Sequence, residues 1–220
     1  FGLDAIAACA LPTISEGYPE IWGWDFARAQ DWTVGIALDQ ANQVVRVERW
    51  QAKPWEQTYQ QVKALQGEGL GWGDSTGIGD VVVETLQHRG VIMHPYLFSA
   101  KSKQQLMERL ASAIQQRAVK FPDGPIRVEL EAFGYEYTAS GVRYTAPEGL
   151  HDDCVMALAL AVYGRDQVGY LGDQYPEAER TPDRHPGLAV RYPQLAHRLS
   201  EQPVSPTRPR FKPTGRMVRE

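Results

Sequence analysis

The chain has 220 residues, 43% of them apolar and six of them tryptophan, enough for one medium-sized domain with a tail, or at most two small ones. No apolar run approaches the ~20 residues of a membrane-spanning helix, so no membrane partner is expected. Two cysteines, Cys9 and Cys154, supply neither a disulfide framework nor a zinc-ligand spacing. Ala5–Pro12 is too short, and lacks the basic start, for a signal peptide, and a reducing cytoplasm is expected. The net charge of −4 divides unevenly: residues 180–220 carry nine Lys/Arg against three Asp/Glu, and residues 1–179 carry fourteen against twenty-four. The acidic body predicts weak affinity for polyanions in isolation.

In chain order, residues 1–19 read as a lead-in segment closed by a Pro/Ser/Gly cluster. Three strands follow at about 20–28, 32–40 and 43–52, the last two joined by Asp39-Gln40-Ala41-Asn42, which makes an antiparallel meander. Pro54 starts a helix at its first position, with Trp55, Tyr59, Val62 and Leu65 at helical spacing and Gly67 and Gly69 ending it. The pattern then switches to alternating strands and helices. One strand ends at Asp74, a helix covers 79–89, and Gly90 closes that helix before a strand at 91–98. Ser99 caps an amphipathic helix from about 101 to 119. Residues 126–146 read as one strand (Ile126, Val128, Leu130) and a hairpin around Ala139-Ser140-Gly141. A last helix follows Gly149 and ends near Gly164. The periodicity then fades, and 166–220, with eight prolines after residue 175, reads as a Pro/Arg-rich, extended or disordered tail. Residues 20–165 would then be the folded domain.

Three acidic positions interrupt this apolar pattern. Asp25 lies in Ile21-Trp22-Gly23-Trp24-Asp25-Phe26-Ala27, Asp74 ends Leu70-Gly71-Trp72-Gly73, and Asp152-Asp153 open an alanine- and leucine-rich helix. A carboxylate in such surroundings is costly unless a positive charge compensates it, and Arg28 is the one basic residue in these segments. Three antiparallel strands, then alternating helices and strands with acids at their ends, outline a ribonuclease-H-like α/β fold: a mixed sheet flanked by helices, with an added β-hairpin. Its first and fourth strands lie parallel and adjacent, which brings Asp25 to Asp74, and the last helix delivers Asp153. Clustered carboxylates suit hard divalent cations, Mg²⁺ or Mn²⁺. Two such ions roughly 3.5–4 Å apart would stabilise both oxygens of a phosphodiester displacement. Asp25, from the most buried strand, is the candidate bridging ligand, with Asp153 on the water-activating ion and Asp74 on the leaving-group ion.

These residues resemble a known family. Gly23-Trp24-Asp25-Phe26-Ala27, Asp74-Ser75-Thr76-Gly77-Ile78-Gly79-Asp80, and His151-Asp152-Asp153 leading into Ala157-Leu158-Ala159 look like the nuclease domain of the large terminase subunit of tailed bacteriophages. So do Phe98-Ser99-Ala100-Lys101-Ser102-Lys103 and the lead-in Ala146-Pro147-Glu148-Gly149. The resemblance spans about 20–164. It implies an endonuclease that cuts concatemeric double-stranded viral DNA during packaging in the host cytoplasm. It also implies an N-terminal ATPase motor of the same subunit, and portal and small terminase subunit as partners. A chain starting at Phe1 without a G-x-x-x-x-G-K-[ST] loop is expected to be a fragment lacking that motor. The family's three metal-binding acids map onto Asp25, Asp74 and one of Asp152 and Asp153, with Asp153 favoured.

Each assignment has a plainer alternative. Asp25 could pair with Arg28, Asp74-Ser75-Thr76-Gly77 could be a cap and turn, and Asp152 or Asp153 could serve the helix N-terminus. His151, His94 and His88 default to structural roles. Glu129 and Glu131, read as one strand period apart, offer an extra ligand. Lys101, Lys103, Arg109 and the hairpin residue Arg143 are candidate DNA contacts. Rival functions are a Holliday-junction resolvase or ribonuclease H on the same acids, and a sugar-kinase-like ATPase through Asp-Ser-Thr-Gly. A non-enzymatic module that docks portal or motor partners is a further rival.

Overall fold

The structure, a computed structural model, describes residues 1–27, 31–138, 141–145 and 151–174. In chain order the elements are α1 (Leu3–Cys9), β1 (Ala10–Leu11), β2 (Ile21–Asp25), β3 (Thr33–Leu38), β4 (Val44–Trp50), α2 (Trp55–Gln66), β5 (Leu70–Asp74) and α3 (Ile78–His88). They continue with β6 (Met93–Tyr96), α4 (Ala100–Gln115), β7 (Phe121–Pro122), α5 (Pro125–Ala132), β8 (Gly134–Thr138), β9 (Gly141–Thr145) and α6 (Asp153–Gln174). The main sheet has the order β4-β3-β2-β5-β6. β2, β3 and β4 form the antiparallel meander, while β5 joins β2, and β6 joins β5, in parallel.

Alternation along β2 assigns its two faces. Trp22, Trp24 and Phe26 stack in a row, with ring centroids 5.0 and 6.1 Å apart. They pack with Val62 of α2 and Val82, Val83 and Leu86 of α3 in one core. The Trp24 indole N–H donates to Gln66 Oε1 at 2.9 Å, so this buried polar atom is satisfied. Ile21, Gly23 and Asp25 face the other side, where α6 crosses the sheet and α1, α4 and α5 complete the second core. Small residues let α6 approach the sheet. A Cβ on Gly23 would overlap the Ala157 carbonyl oxygen and the Ala161 amide nitrogen, and one on Gly164 would overlap the Trp72 ring.

Arg165 ties α6 to the far end of the sheet. Its guanidinium donates to Asn42 Oδ1 (3.1 Å), Glu20 Oε2 (3.2 Å) and the Gln40 carbonyl (2.6 Å).

Four expectations change. Residues 1–19 hold a helix, α1, whose Ile6 and Cys9 are fully buried. Residues 125–132 are helical, not a strand: Pro125 sits in the first turn, and Ile126 and Leu130, four apart, face inward while Val128 is exposed. Glu129 and Glu131 therefore lie on different faces. Gly164 is a packing position inside α6, which runs on to Gln174. Pro54 stands just before α2 as its N-cap. Arg28, the lead-in 146–149 and the tail from 175 lie outside the described residues. Among the described residues no helix is long and apolar enough to cross a membrane.

Candidate active site

The parallel pairing Trp24↔Gly73 runs one residue short of the strand ends, at Asp25 and Asp74. Neighbouring strands lie about 4.8 Å apart, so the two aspartates leave the sheet side by side. Asp153 approaches Asp25 from the α6 side of the sheet. Gly23 is two residues before Asp25 on the same strand face, and Ala157 is four residues after Asp153 on the same helix face. The Gly23–Ala157 contact thus sets Asp153 over Asp25.

Electrostatics records this convergence. The part-buried Asp25 carboxyl is held well above the ordinary carboxylate range, first by loss of water and then by Asp153, Asp74 and Asp152; Lys103 opposes them. Asp153, 7% exposed, is raised to about 6, by burial first and then by Glu129, while His151 opposes. Its Oδ2 has no hydrogen-bond partner, and His151 Nδ1 lies 3.4 Å away without hydrogen-bonding geometry. Asp74 is raised by burial, against its hydrogen bonds with Thr76. One of its oxygens accepts the Thr76 N–H at 2.8 Å, so the turn role anticipated for Asp74-Ser75-Thr76-Gly77 is present too. Thr76 Oγ1 in turn accepts the Phe98 N–H (2.9 Å), which fastens this turn to the start of α4.

The candidate residues separate into groups. Asp152 lies 3.6 Å from Lys103 Nζ, and Lys103 is the one lysine or arginine that acts on both Asp25 and Asp74. Lys101 is exposed on the first turn of α4. Arg109 turns elsewhere: it pairs with Asp166 at 2.5 Å and lies over the Tyr163 ring. That pair borders a cleft of about 650 Å³ between α4 and α6, away from the aspartates. Arg143 stands opposite Glu136 in the β8–β9 hairpin. His94 packs on Trp72, and Glu131 pairs with Arg127 at 2.7 Å.

Arg49 escaped the sequence reading, and Glu129, anticipated as an extra ligand on a strand, is instead engaged by the protein itself. Glu129, 6% exposed, accepts the Cys154 N–H at 2.7 Å and Arg49 at 3.2 Å. Arg49 also lies over the Trp32 ring, 4.6 Å from its centroid. The i,i+4 pair Arg127–Glu131 and Pro125 were the available signals that Glu129 sits on a helix.

An all-oxygen donor set with an unpartnered buried carboxylate oxygen fits a hard divalent cation. Among the described residues no three His, Cys, Asp or Glu side chains close around a single point, so waters would complete any ion's shell.

The family described as terminase RNaseH-like domain matches residues 22–163. The chain belongs to this terminase family. The terminase domain is 29% identical to the large terminase nuclease from thermophilic phage G20c with bound magnesium. That likeness covers 73% of this chain and 95% of that one, with a TM-score of 0.67. The same phage nuclease is known with bound cobalt and with bound zinc. The Thermus phage P74-26 large terminase nuclease domain is 28% identical over 72% of this chain and 92% of that chain, TM-score 0.63. The nuclease domain of large terminase subunit gp2 of bacterial virus Sf6, at 9% identity and TM-score 0.56 over 74% of this chain and 97% of that one, shares the fold. No match was found among curated proteins. The terminase domain is a ribonuclease-H-like α/β fold, as the order of its strands and acids predicts.

Proposed function

We propose that this terminase domain is a divalent-metal-dependent endonuclease that cuts concatemeric double-stranded viral DNA during genome packaging in the host cytoplasm. The observation that supports the reading is that Asp153, Asp74 and Asp152, from the neighbouring strand end and the start of α6, all act on the part-buried carboxyl of Asp25. Asp152 and Lys103 stand at the rim. The phage G20c nuclease, 29% identical, holds magnesium, which supports the metal. Asp25, central to the group, would hold two ions jointly; Asp74 and Asp153 would each complete one, and Asp152 is a further candidate ligand.

Such ions, when bound, stabilise charge on the phosphate oxygens and make water more acidic. The chain's own residues do the rest. The sheet and α6 fix the carboxylates before any ion arrives, so little reorganisation is needed. Asp25 and Asp153 resist ionising, first because burial strips their water and then because of neighbouring carboxylates, and a bound cation would offset both costs. Lys103, with three N–H donors, would contact DNA phosphate once its carboxylate neighbours are engaged, and Lys101 and Arg143 are further candidate contacts. The acidic body makes isolated affinity for DNA low. Delivery would therefore fall to partners: the ATPase motor of the same subunit, the portal and the small terminase subunit.

Plasmid cleavage with Mn²⁺, Mg²⁺ or chelator tests this. We expect metal-dependent cutting, abolished by Asp25→Asn, by Asp74→Asn and by Asp153→Asn. Unchanged cutting in all three variants would end the proposal, and preference for a junction or an RNA–DNA hybrid over plain duplex would redirect it.

A further inference from the structure

Glu129 is a buried carboxylate on α5 that the proposed metal chemistry does not use. Burying such a charge is costly unless it is paired and hydrogen-bonded, and both of its oxygens are engaged. Oε1 accepts from Arg49 of β4 at 3.2 Å, and Oε2 accepts the Cys154 N–H at 2.7 Å. Cys154 is the second residue of α6, so its N–H is among the first-turn donors that lack an intrahelical acceptor. These donors are commonly satisfied by a side chain close by in sequence. Here the acceptor comes from 25 positions upstream, across the interface between two helices.

That choice of cap bears on the neighbours. Asp152 supplies its backbone carbonyl to Met156 N–H at 2.9 Å, while its carboxylate turns to Lys103. Asp153 Oδ2 keeps no hydrogen-bond partner. With the Cys154 donor met by Glu129, neither aspartate carboxylate is taken up in capping it. Arg49 holds Glu129 in place and is itself pinned over Trp32, whose backbone N–H also acts on Asp153. β4, the start of β3, α5 and the first turn of α6 thus meet behind one carboxylate.

We propose that Glu129 is a positioning residue for the metal site: a distant cap, locked by Arg49, that fixes the first turn of α6 so that Asp153 points at Asp25. The inference rests on the metal-site reading above and deepens it. The competing view is a buried ion pair that merely joins α5 to β4.

Hydrogen exchange and Mn²⁺ binding separate the two, measured on the full chain. Glu129→Gln keeps an acceptor for Cys154. The double variant Glu129→Leu/Arg49→Leu removes the acceptor without stranding a charge in the interior. We expect the glutamine variant to hold Mn²⁺ within about fivefold of wild type. The double leucine variant should stay folded by circular dichroism yet lose about 10–100-fold in Mn²⁺ affinity, the usual range when support behind a metal ligand is removed. Amides 153–157 should exchange faster in it, with the sheet unchanged. If the double variant fails to fold, Glu129→Ala is read by the same exchange measurement. Unchanged protection of 153–157 in whichever acceptor-less variant folds, or Mn²⁺ affinity within fivefold of wild type there, would overturn the proposal. So would a glutamine variant as impaired as the leucine one. Failure of wild type to bind Mn²⁺ would instead overturn the metal reading, and the exchange result would stand apart from it.

Discussion

Gly23 of β2 lies directly under Ala157 of α6, with no room between them for a single methyl group. This contact sets the height of α6 above the sheet and hence the distance from Asp153 to Asp25, one strand period and one helical turn away. Gly23→Ala must push backbone against backbone, and overpacking typically costs about 1–3 kcal/mol, with backbone clashes toward the upper end. A lower urea midpoint is expected, together with weaker Mn²⁺ binding in whatever folds. A variant as stable as wild type would show that α6 adjusts freely.

The acids conflict with stability when no cation is present. Asp25→Asn removes a carboxylate crowded by Asp153, Asp74 and Asp152. In chelator at pH 8, its melting temperature should exceed that of wild type, while DNA cleavage in Mn²⁺ is lost. Thermal melts with and without Mn²⁺ check this: wild type should gain stability from the ion, and the asparagine variant much less.

The pH dependence has a definite sign. Asp153 rises from an ordinary carboxylate value to about 6 in the folded chain, so between those values the folded state binds more protons than the unfolded state. Metal-free stability contributed by this group therefore falls as pH climbs from about 4 through about 6. After allowance for solvent screening the loss is about 1–2 kcal/mol. Asp153→Asn should flatten that slope in denaturant titrations at several pH values. Because protons compete with cations for the same oxygens, Mn²⁺ affinity should rise across the same window.

Lys103 is the resident positive charge. Its removal leaves Asp152 unpaired and Asp25 and Asp74 without their opposing cation. Lys103→Met should bind Mn²⁺ severalfold more tightly, about 1 kcal/mol for a unit charge in a partly hydrated cleft. It should also cut DNA more slowly for want of a phosphate contact. Calorimetry and plasmid cleavage moving in opposite directions would bear this out; weaker metal binding would contradict it.

Much of the fold was legible along the chain because local signals agreed. The meander 21–50, the capped helix after Ser99 and the strand ending at Asp74 each carried period, cap and turn residues that favour one structure. Residues 125–132 were misread because Ile126, Val128 and Leu130 alternate like a strand. The inward pair Ile126/Leu130 decided for a helix once the α1–α5–α6 core was packed, and Val128 was left exposed.

By itself the sequence determined which residue types could do metal chemistry and in what order they come: aspartates placed where apolar strands end and an alanine-rich helix begins. Local periodicity is written in consecutive residues, so strand faces and helix stripes could be read there. Only the tertiary structure decided that Lys103 neighbours Asp152, that Arg109 turns away to Asp166, and that Glu129 caps a helix beginning 24 residues later. Those pairings depend on how close α6 comes to the sheet, and that is set by the small residues Gly23, Ala157 and Ala161 packing across long sequence separations.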